Sequence, residues 1–193
     1  MVDGTHYRSL WWEAKKDAIQ IIDQRCLPHE FRTQSVVTLQ DFADAIIQMR
    51  VRGAPLIGAT AAYGMALAMR IDPSDAHMTQ AWESLHNTRP TAINLRWALN
   101  RCQTALLPLP EADRAGAALA LAHDIANEDV EINRQIGLNG LKLIQDIAAK
   151  KPSGEPVRLL ARCSAGWIAT VDWGTATSPM YHAHNAGIAL HIW

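Results

Sequence analysis

The chain of 193 residues is 49% apolar and 19% charged, which supplies a sizeable core and leaves too little charge for intrinsic disorder. Eighteen basic and nineteen acidic side chains give a formal net charge of -1, so no diffuse positive field exists to hold nucleic acid or an anionic membrane, and any anion site must be local. The length fits one domain, or one and part of a second.

Extended structure is expected first. Leu10-Trp11-Trp12 and Ala18-Ile19-Gln20-Ile21-Ile22 are β-prone runs joined by the charged turn Glu13-Ala14-Lys15-Lys16-Asp17, the pattern of a hairpin. From Thr38 the period changes. Thr38 and Asp41 offer an N-cap and an acid for the first turn, and Phe42, Ala45, Ile46 and Met49 fall on one helical stripe that ends near Arg50. The loop Val51-Arg52-Gly53-Ala54 leads to Pro55, suited to the first position of a helix that is apolar nearly all round and forms the core. That apolar stretch is shorter than the roughly 20 residues of a membrane span and is read as a buried helix.

Asp75 to Leu85 reads as a helix with Met78, Trp82 and Leu85 inward, and Arg89-Pro90 as the start of another through Leu95, Leu99 and Cys102. From Glu111 to Lys150 there is material for one long helix or two, with Gly137 and Gly140 as points of weakness. The turn-rich run from Lys151 to Pro156 then leads into strand (Val157 to Ala161), small-residue loop, helix (Ala176 to Ala186) and strand (Ile188 to Trp193). The expected class is α/β: a mainly helical domain with a small β-hairpin over 1–150, and over 151–193 the opening of a Rossmann-like parallel sheet. Two parallel strands do not make a stable sheet, so further strands are expected from chain beyond Trp193 or from another molecule.

The candidate chemistry lies in three loops. Arg52-Gly53-Ala54-Pro55 runs into a helix N-terminus, which presents free N–H groups and a positive dipole end beside an arginine; the alternative is a plain helix connection with a surface Arg. Arg89-Pro90-Thr91 repeats the arrangement, again as an anion site or a solvated Arg. With thirteen Arg and five Lys in all, two such loops favour small phosphorylated or acidic ligands. Cys163 ends a strand in the small-residue loop Ser164-Ala165-Gly166, where open α/β sheets place ligands, and the adjacent Arg162 is a cation that favours thiolate; the alternative is a buried inert cysteine. Cys26 and Cys102 read as inert. The three cysteines are too few for a disulfide framework and the N-terminus has no leader pattern, which together point to the cytoplasm. His182, His184 and His191 share no ligand geometry, so no metal is expected.

Leu27-Pro28-His29-Glu30, Val51-Arg52-Gly53-Ala54-Pro55, Ala61-Ala62-Tyr63-Gly64, Arg89-Pro90-Thr91-Ala92-Ile93-Asn94-Leu95 and Cys163-Ser164-Ala165-Gly166 together resemble the methylthioribose-1-phosphate isomerase family. Its superfamily also holds other pentose-phosphate isomerases and the regulatory subunits of a translation-initiation exchange factor. The resemblance implies a homodimeric aldose-ketose isomerase acting on a C1-phosphorylated pentose, in methionine salvage, without metal or organic cofactor. Arg52, Gly53 and Ala54 then match the substrate-binding loop, Arg89 a second phosphate-side arginine, and Cys163 the catalytic cysteine. The other readings are an isomerase for another such sugar, for example 5-deoxyribose 1-phosphate, or a non-catalytic sugar-phosphate-binding or subunit-interaction module. Arg162 and Ser164 stand where the family has His and Asn, which changes charge, reach and hydrogen bonding beside the thiol. The family's catalytic aspartate falls beyond position 193 and Asp172 does not match it, so the chain alone is expected to be inactive.

Overall fold

Residues 2–163 and 165–193 are described by the structure, a computed structural model. Leu10–Glu13 (β1) and Ala18–Ile22 (β2) pair antiparallel, Leu10 opposite Ile21 and Glu13 opposite Ala18, as the hairpin reading requires. The sheet has a third strand, however. Thr33–Val36 (β3) pairs antiparallel with β2 in the register Ile19 to Val36. Only Val36 of the four is buried, so hydrophobic alternation gave this strand no signal. With a neighbour on each side, β2 is buried along its whole length; a two-stranded hairpin would be marginal in water.

Leu39–Ile47 (α1) begins in the expected capping box: the Thr38 hydroxyl accepts from the Asp41 N–H at 3.0 Å, and the Asp41 carboxylate accepts from the Thr38 N–H at 2.9 Å. The helix stops before Arg50. Met49 lies in the left-handed region at φ +56° and is exposed, because the chain turns there to bury Val51, whose N–H donates to the Ala45 carbonyl. Ala54–Ile71 (α2) is buried on nearly every side. By length and hydropathy it could cross a membrane, yet 72% of it is covered by the rest of the molecule. Gly53 caps it, with Pro55 in the first turn.

Asp75–His86 (α3), Ile93–Leu106 (α4) and the unbroken Glu111–Ala148 (α5) pack around α2. The helix after Arg89-Pro90 starts later than expected. Residues 87–91 form turns, with the Arg89 N–H donating to His86 O and its carbonyl accepting from the Ala92 N–H, so Arg89 lies in a turn ahead of α4. The buried Arg114 ties three helices, donating to the carbonyls of Leu109, Pro73 and Leu107 and pairing with Asp75 at 2.6 Å.

Val157–Leu159 (β4), Thr177–Asn185 (α6) and Leu190–Ile192 (β5) form a βαβ unit, the two strands parallel with Val157 opposite Leu190. A small apolar cluster of Ile144, Val157 and Ala183 seats it on the C-terminal half of α5. Gly137 and Gly140 are not weak points. A Cβ at Gly137 would fall 2.2 Å from Ser178 Oγ and 2.3 Å from His182 Cδ2, and one at Gly140 2.6 Å from Pro179 Cγ; the missing side chains are what let α6 lie against α5.

Gly137→Ala is therefore expected to destabilise the chain by about 2 kcal/mol, because overpacking outweighs the roughly 1 kcal/mol that Ala gains over Gly within a helix. Gly116→Ala, in the same helix with nothing within 4 Å of a new Cβ, should stabilise by up to about 1 kcal/mol. Urea unfolding of the two variants checks this; equal shifts would remove the close-packing explanation.

Candidate functional site

Gly53 joins the two parts of the molecule. Its φ of +102° disfavours any L side chain, and a Cβ would fall 2.2 Å from the Ala169 carbonyl oxygen. The start of α2 thus presses on the 3-10 turn Trp167–Ala169, which follows the cysteine loop. Three further bonds clamp that segment. Gln24, whose own N–H donates to Arg50 O, donates from Nε2 to Ile168 O at 2.6 Å. Ser9 Oγ donates to Trp167 O at 2.9 Å, and the Val171 N–H donates to Asp129 Oδ2 at 2.7 Å.

Arg52 is exposed immediately before α2, and Arg89 is half-buried in its turn. Among the described residues neither guanidinium has a carboxylate or carbonyl partner, in contrast to Arg25, Arg70, Arg101, Arg114 and Arg134, which are all paired. Cys163 follows β4 in the left-handed region at φ +74° and is exposed, which removes the buried-cysteine alternative. Ser164 lies outside the described residues. Ala165 turns back, its carbonyl accepting the Ala176 N–H at the start of α6. Cys102 behaves differently: it is buried in α4 and burial pushes its thiol up to about 12.

A cavity of about 450 Å³ opens between α4, α5 and the start of α2, lined by Pro55, Ile93, Asn94, Asp129, Asn133 and Thr175, together with Glu128 and further apolar side chains. Pro55 is next to Ala54, Ile93 opens the helix four residues after Arg89, and Thr175 precedes the residue bonded to the cysteine loop. The motif residues Arg52, Gly53, Ala54, Arg89 and Cys163 do not line this wall. Arg52 to Ala54 and Arg89 lie on the segments that lead into Pro55 and Ile93, and the Cys163 loop is linked to it only through the Ala165–Ala176 bond next to Thr175.

Sequence reasoning missed Asp129 and Asn133. Burial raises the Asp129 carboxyl above the usual aspartate value and the charge of Asp172 adds to this, against the lowering effect of the bonds from Val171 and Asn133. Asn133 donates to both the Asp129 carbonyl and carboxylate, while its Oδ1 is buried with no partner among the described residues. An Asn within a long helix was the available signal, since such residues favour caps and turns unless something holds them. Asp172, by contrast, is engaged elsewhere: Oδ2 lies 2.7 Å from His6 Nε2 and Oδ1 accepts the Trp173 N–H. Among the described residues no three His, Cys, Asp or Glu side chains gather as a metal set.

The structure is a βαβ unit seated on a helical body, with the turn after the cysteine loop packed against the N-terminus of α2; residues 50–193 match the initiation factor 2 subunit family, and the chain belongs to it. It is 60% identical over 192 residues to the methylthioribose-1-phosphate isomerase of Brucella anthropi, covering 100% of this chain and 53% of that protein. With the same coverages it is 56% identical to that of Sinorhizobium medicae. Two solved structures are similar. The 5-methylthioribose 1-phosphate isomerase from Pyrococcus horikoshii OT3 matches with a TM-score of 0.83 and 34% identity over 98% of this chain and 52% of its own. The translation initiation factor eIF-2B, subunit delta, from A. fulgidus matches with a TM-score of 0.82 and 35% identity over 97% and 54%. The chain spans about half the length of the curated relatives it matches.

A thiol-reactive dye added to the folded chain is expected to label Cys163 quickly and Cys102 only after unfolding, since burial and a raised pKa both withhold the thiolate. Because Cys26 is partly exposed, the comparison is made in a Cys26→Ala background, where adding Cys163→Ala should abolish the fast phase. A fast phase that persists in that variant would contradict the exposed-loop geometry.

Proposed function

We propose that the chain carries the phosphate-holding and thiol-bearing side of an aldose-ketose isomerase site that converts 5-methylthioribose 1-phosphate to 5-methylthioribulose 1-phosphate, a step of methionine salvage. The observation that carries the reading is the packing of Gly53 on Ala169, which brings the start of α2 against the segment that follows the Cys163 loop. The names of the relatives at 56% and 60% identity support it.

The reaction is an internal rearrangement. The bond between C1 and the ring oxygen breaks, the hydrogen on C2 moves to C1, and the C2 hydroxyl proton leaves as the ketone forms and the ring oxygen becomes a hydroxyl. Arg52, Arg89 and the first N–H groups of α2 hold the phosphate. Cys163, an acid that gives up and regains a proton, serves the exchange at the opened sugar. A second acid or base is still required, and Asp172 is tied to His6. We place that group in a further Rossmann-like stretch of sheet continuing from β4 and β5. The same reading divides the chain at about residue 150 and places the enzyme in the cytoplasm as a homodimer that needs no metal or organic cofactor.

A fusion of this chain to the second half of the Brucella anthropi relative is expected to turn over 5-methylthioribose 1-phosphate, whereas the chain alone is not. Cys163→Ala in the fusion should abolish turnover with little change in substrate affinity. An inactive fusion that still binds sugar phosphate would favour a binding module, as in a regulatory subunit. Arg52→Ala and Arg89→Ala should each weaken sugar-phosphate binding by about 1.5 to 3 kcal/mol, the scale of a hydrogen bond to a charged group. Unaltered calorimetric affinity in both variants would remove these arginines from the site.

A further inference from the structure

The next bond of the 3-10 turn at Trp167–Ala169 would run from the Val171 N–H to the Ile168 carbonyl. Two side chains take its place: the Val171 N–H donates to Asp129 Oδ2 at 2.7 Å, and Ile168 O accepts from Gln24 Nε2 at 2.6 Å. Gln24 is 5% exposed, and its Oε1 is buried with no partner among the described residues. An unpaired buried oxygen costs stability, so the packing of the core does not account for an amide at this position. We infer that Gln24 is a positioning residue, a buried arm that holds the arginine loop and the cysteine loop at one fixed separation. The inference deepens the isomerase reading and rests on it for the roles of Arg52 and Cys163.

Both ends of the arm are anchored. At its base the Gln24 N–H donates to Arg50 O at 2.9 Å, two residues before Arg52. Gln48 Oε1 adds a second bridge, accepting from Arg25 Nη1 at 3.0 Å and from Arg50 Nη2 at 2.9 Å. Asp23 in turn fixes Arg25, its carboxylate accepting from Nε at 2.9 Å and Nη2 at 2.7 Å. The base therefore moves with the stretch of chain that leads to Arg52. At the tip, residues 165–176 close on themselves. The Ala176 N–H donates to Ala165 O at 3.1 Å, and a Cβ at Gly174 would fall 2.4 Å from the Gly166 carbonyl carbon. Thr170 Oγ1 donates to Asp172 O at 2.8 Å and accepts from the Gly174 N–H at 3.1 Å. The Ala165 N–H donates to Cys163 O at 3.1 Å. A loop braced in this way shifts as one body, so a pull on Ile168 is passed to Cys163.

The contact of Gly53 with Ala169 limits only how near the two segments come, because overlap is repulsive. The Gln24 bond limits how far they part. Ser9 and Asp129 also hold residues 167–171, but of the three side chains only Gln24 belongs to a residue bonded to Arg50 as well. Leucine at this position would exchange one unpaired oxygen for another, Oε1 for Ile168 O, so folding stability should change little while the tether is lost. Asparagine keeps the amide and is one methylene too short to span the gap.

Electron paramagnetic resonance reads the separation without substrate, from nitroxides on Cys163 and on Arg52→Cys in a Cys26→Ala background, Cys102 being buried. A single narrow distance distribution is expected with Gln24 in place, and one at least about twofold wider in Gln24→Leu and in Gln24→Asn. In the fusion to the second half of the Brucella anthropi relative, both variants should lower kcat by about 10-fold or more and leave the calorimetric affinity for 5-methylthioribose 1-phosphate within about twofold, because misplacement penalises the reacting geometry more than phosphate binding. An unchanged distance distribution in both variants would overturn the arm. So would kcat and affinity falling together with the melting temperature, the pattern of a purely structural residue. A fusion that is inactive with Gln24 in place would overturn the isomerase reading alone, and the distance distributions then decide the inference by themselves.

Discussion

At Gly53 two stretches of backbone come too close for any side chain. The glycine holds φ +102° with its missing Cβ directed at the Ala169 carbonyl, so the first turn of α2 and the segment after Cys163 meet without a layer of side chains between them. Helix N-terminal N–H groups act over only a few ångströms. A larger residue would push the cysteine segment away from the one part of the helix that can stabilise an anion. The bonds from Ser9, Gln24 and Asp129 to residues 167–171 then hold that segment from three other directions, so the approach is fixed by the bend before β1, the loop after β2 and α5 at once.

The long helix α5 carries this arrangement across the molecule. Its first half joins the main core through Ala118, Ala122, Ile125 and Ala126, and Ile144 joins the small cluster under β4 and α6. Between these regions the same helix presents Asp129 and Asn133 to the cavity and then the two glycines that admit α6. Breaking α5 in the middle would therefore alter the distance between the cavity and the βαβ unit. The buried polar groups fit this role. Asp129 is strained electrostatically by burial, yet it both fixes the Val171 backbone and orients Asn133.

Much of the fold is legible in local sequence because local interactions decide it. The Thr38 capping box, the β1-β2 hairpin, the Pro55 helix start and the order strand, helix, strand at the C-terminal end all depend on neighbours within a few residues. What was illegible depends on distant partners. β3 is polar because its outer face meets solvent, and only its pairing with β2 makes it a strand. Gly137 and Gly140 resemble helix breakers until α6 is placed against them. Of the site, Arg52, Gly53, Arg89 and Cys163 stand out by motif, whereas Asp129 and Asn133 lie in an ordinary-looking helical pattern. Their importance comes from a cavity that exists only after α2, α4 and α5 have packed.

The central claim is that the Arg52 loop and the Cys163 loop face one ligand. Alkylation of Cys163 in the presence of increasing 5-methylthioribose 1-phosphate measures it directly. The account predicts that the sugar phosphate slows alkylation to a saturating limit, and that Arg52→Ala moves the half-protecting concentration upward by about 10-fold or more, the equivalent of at least 1.4 kcal/mol. An alkylation rate indifferent to the sugar phosphate, in a chain that binds it by calorimetry, would contradict the account by separating the thiol from the anion site.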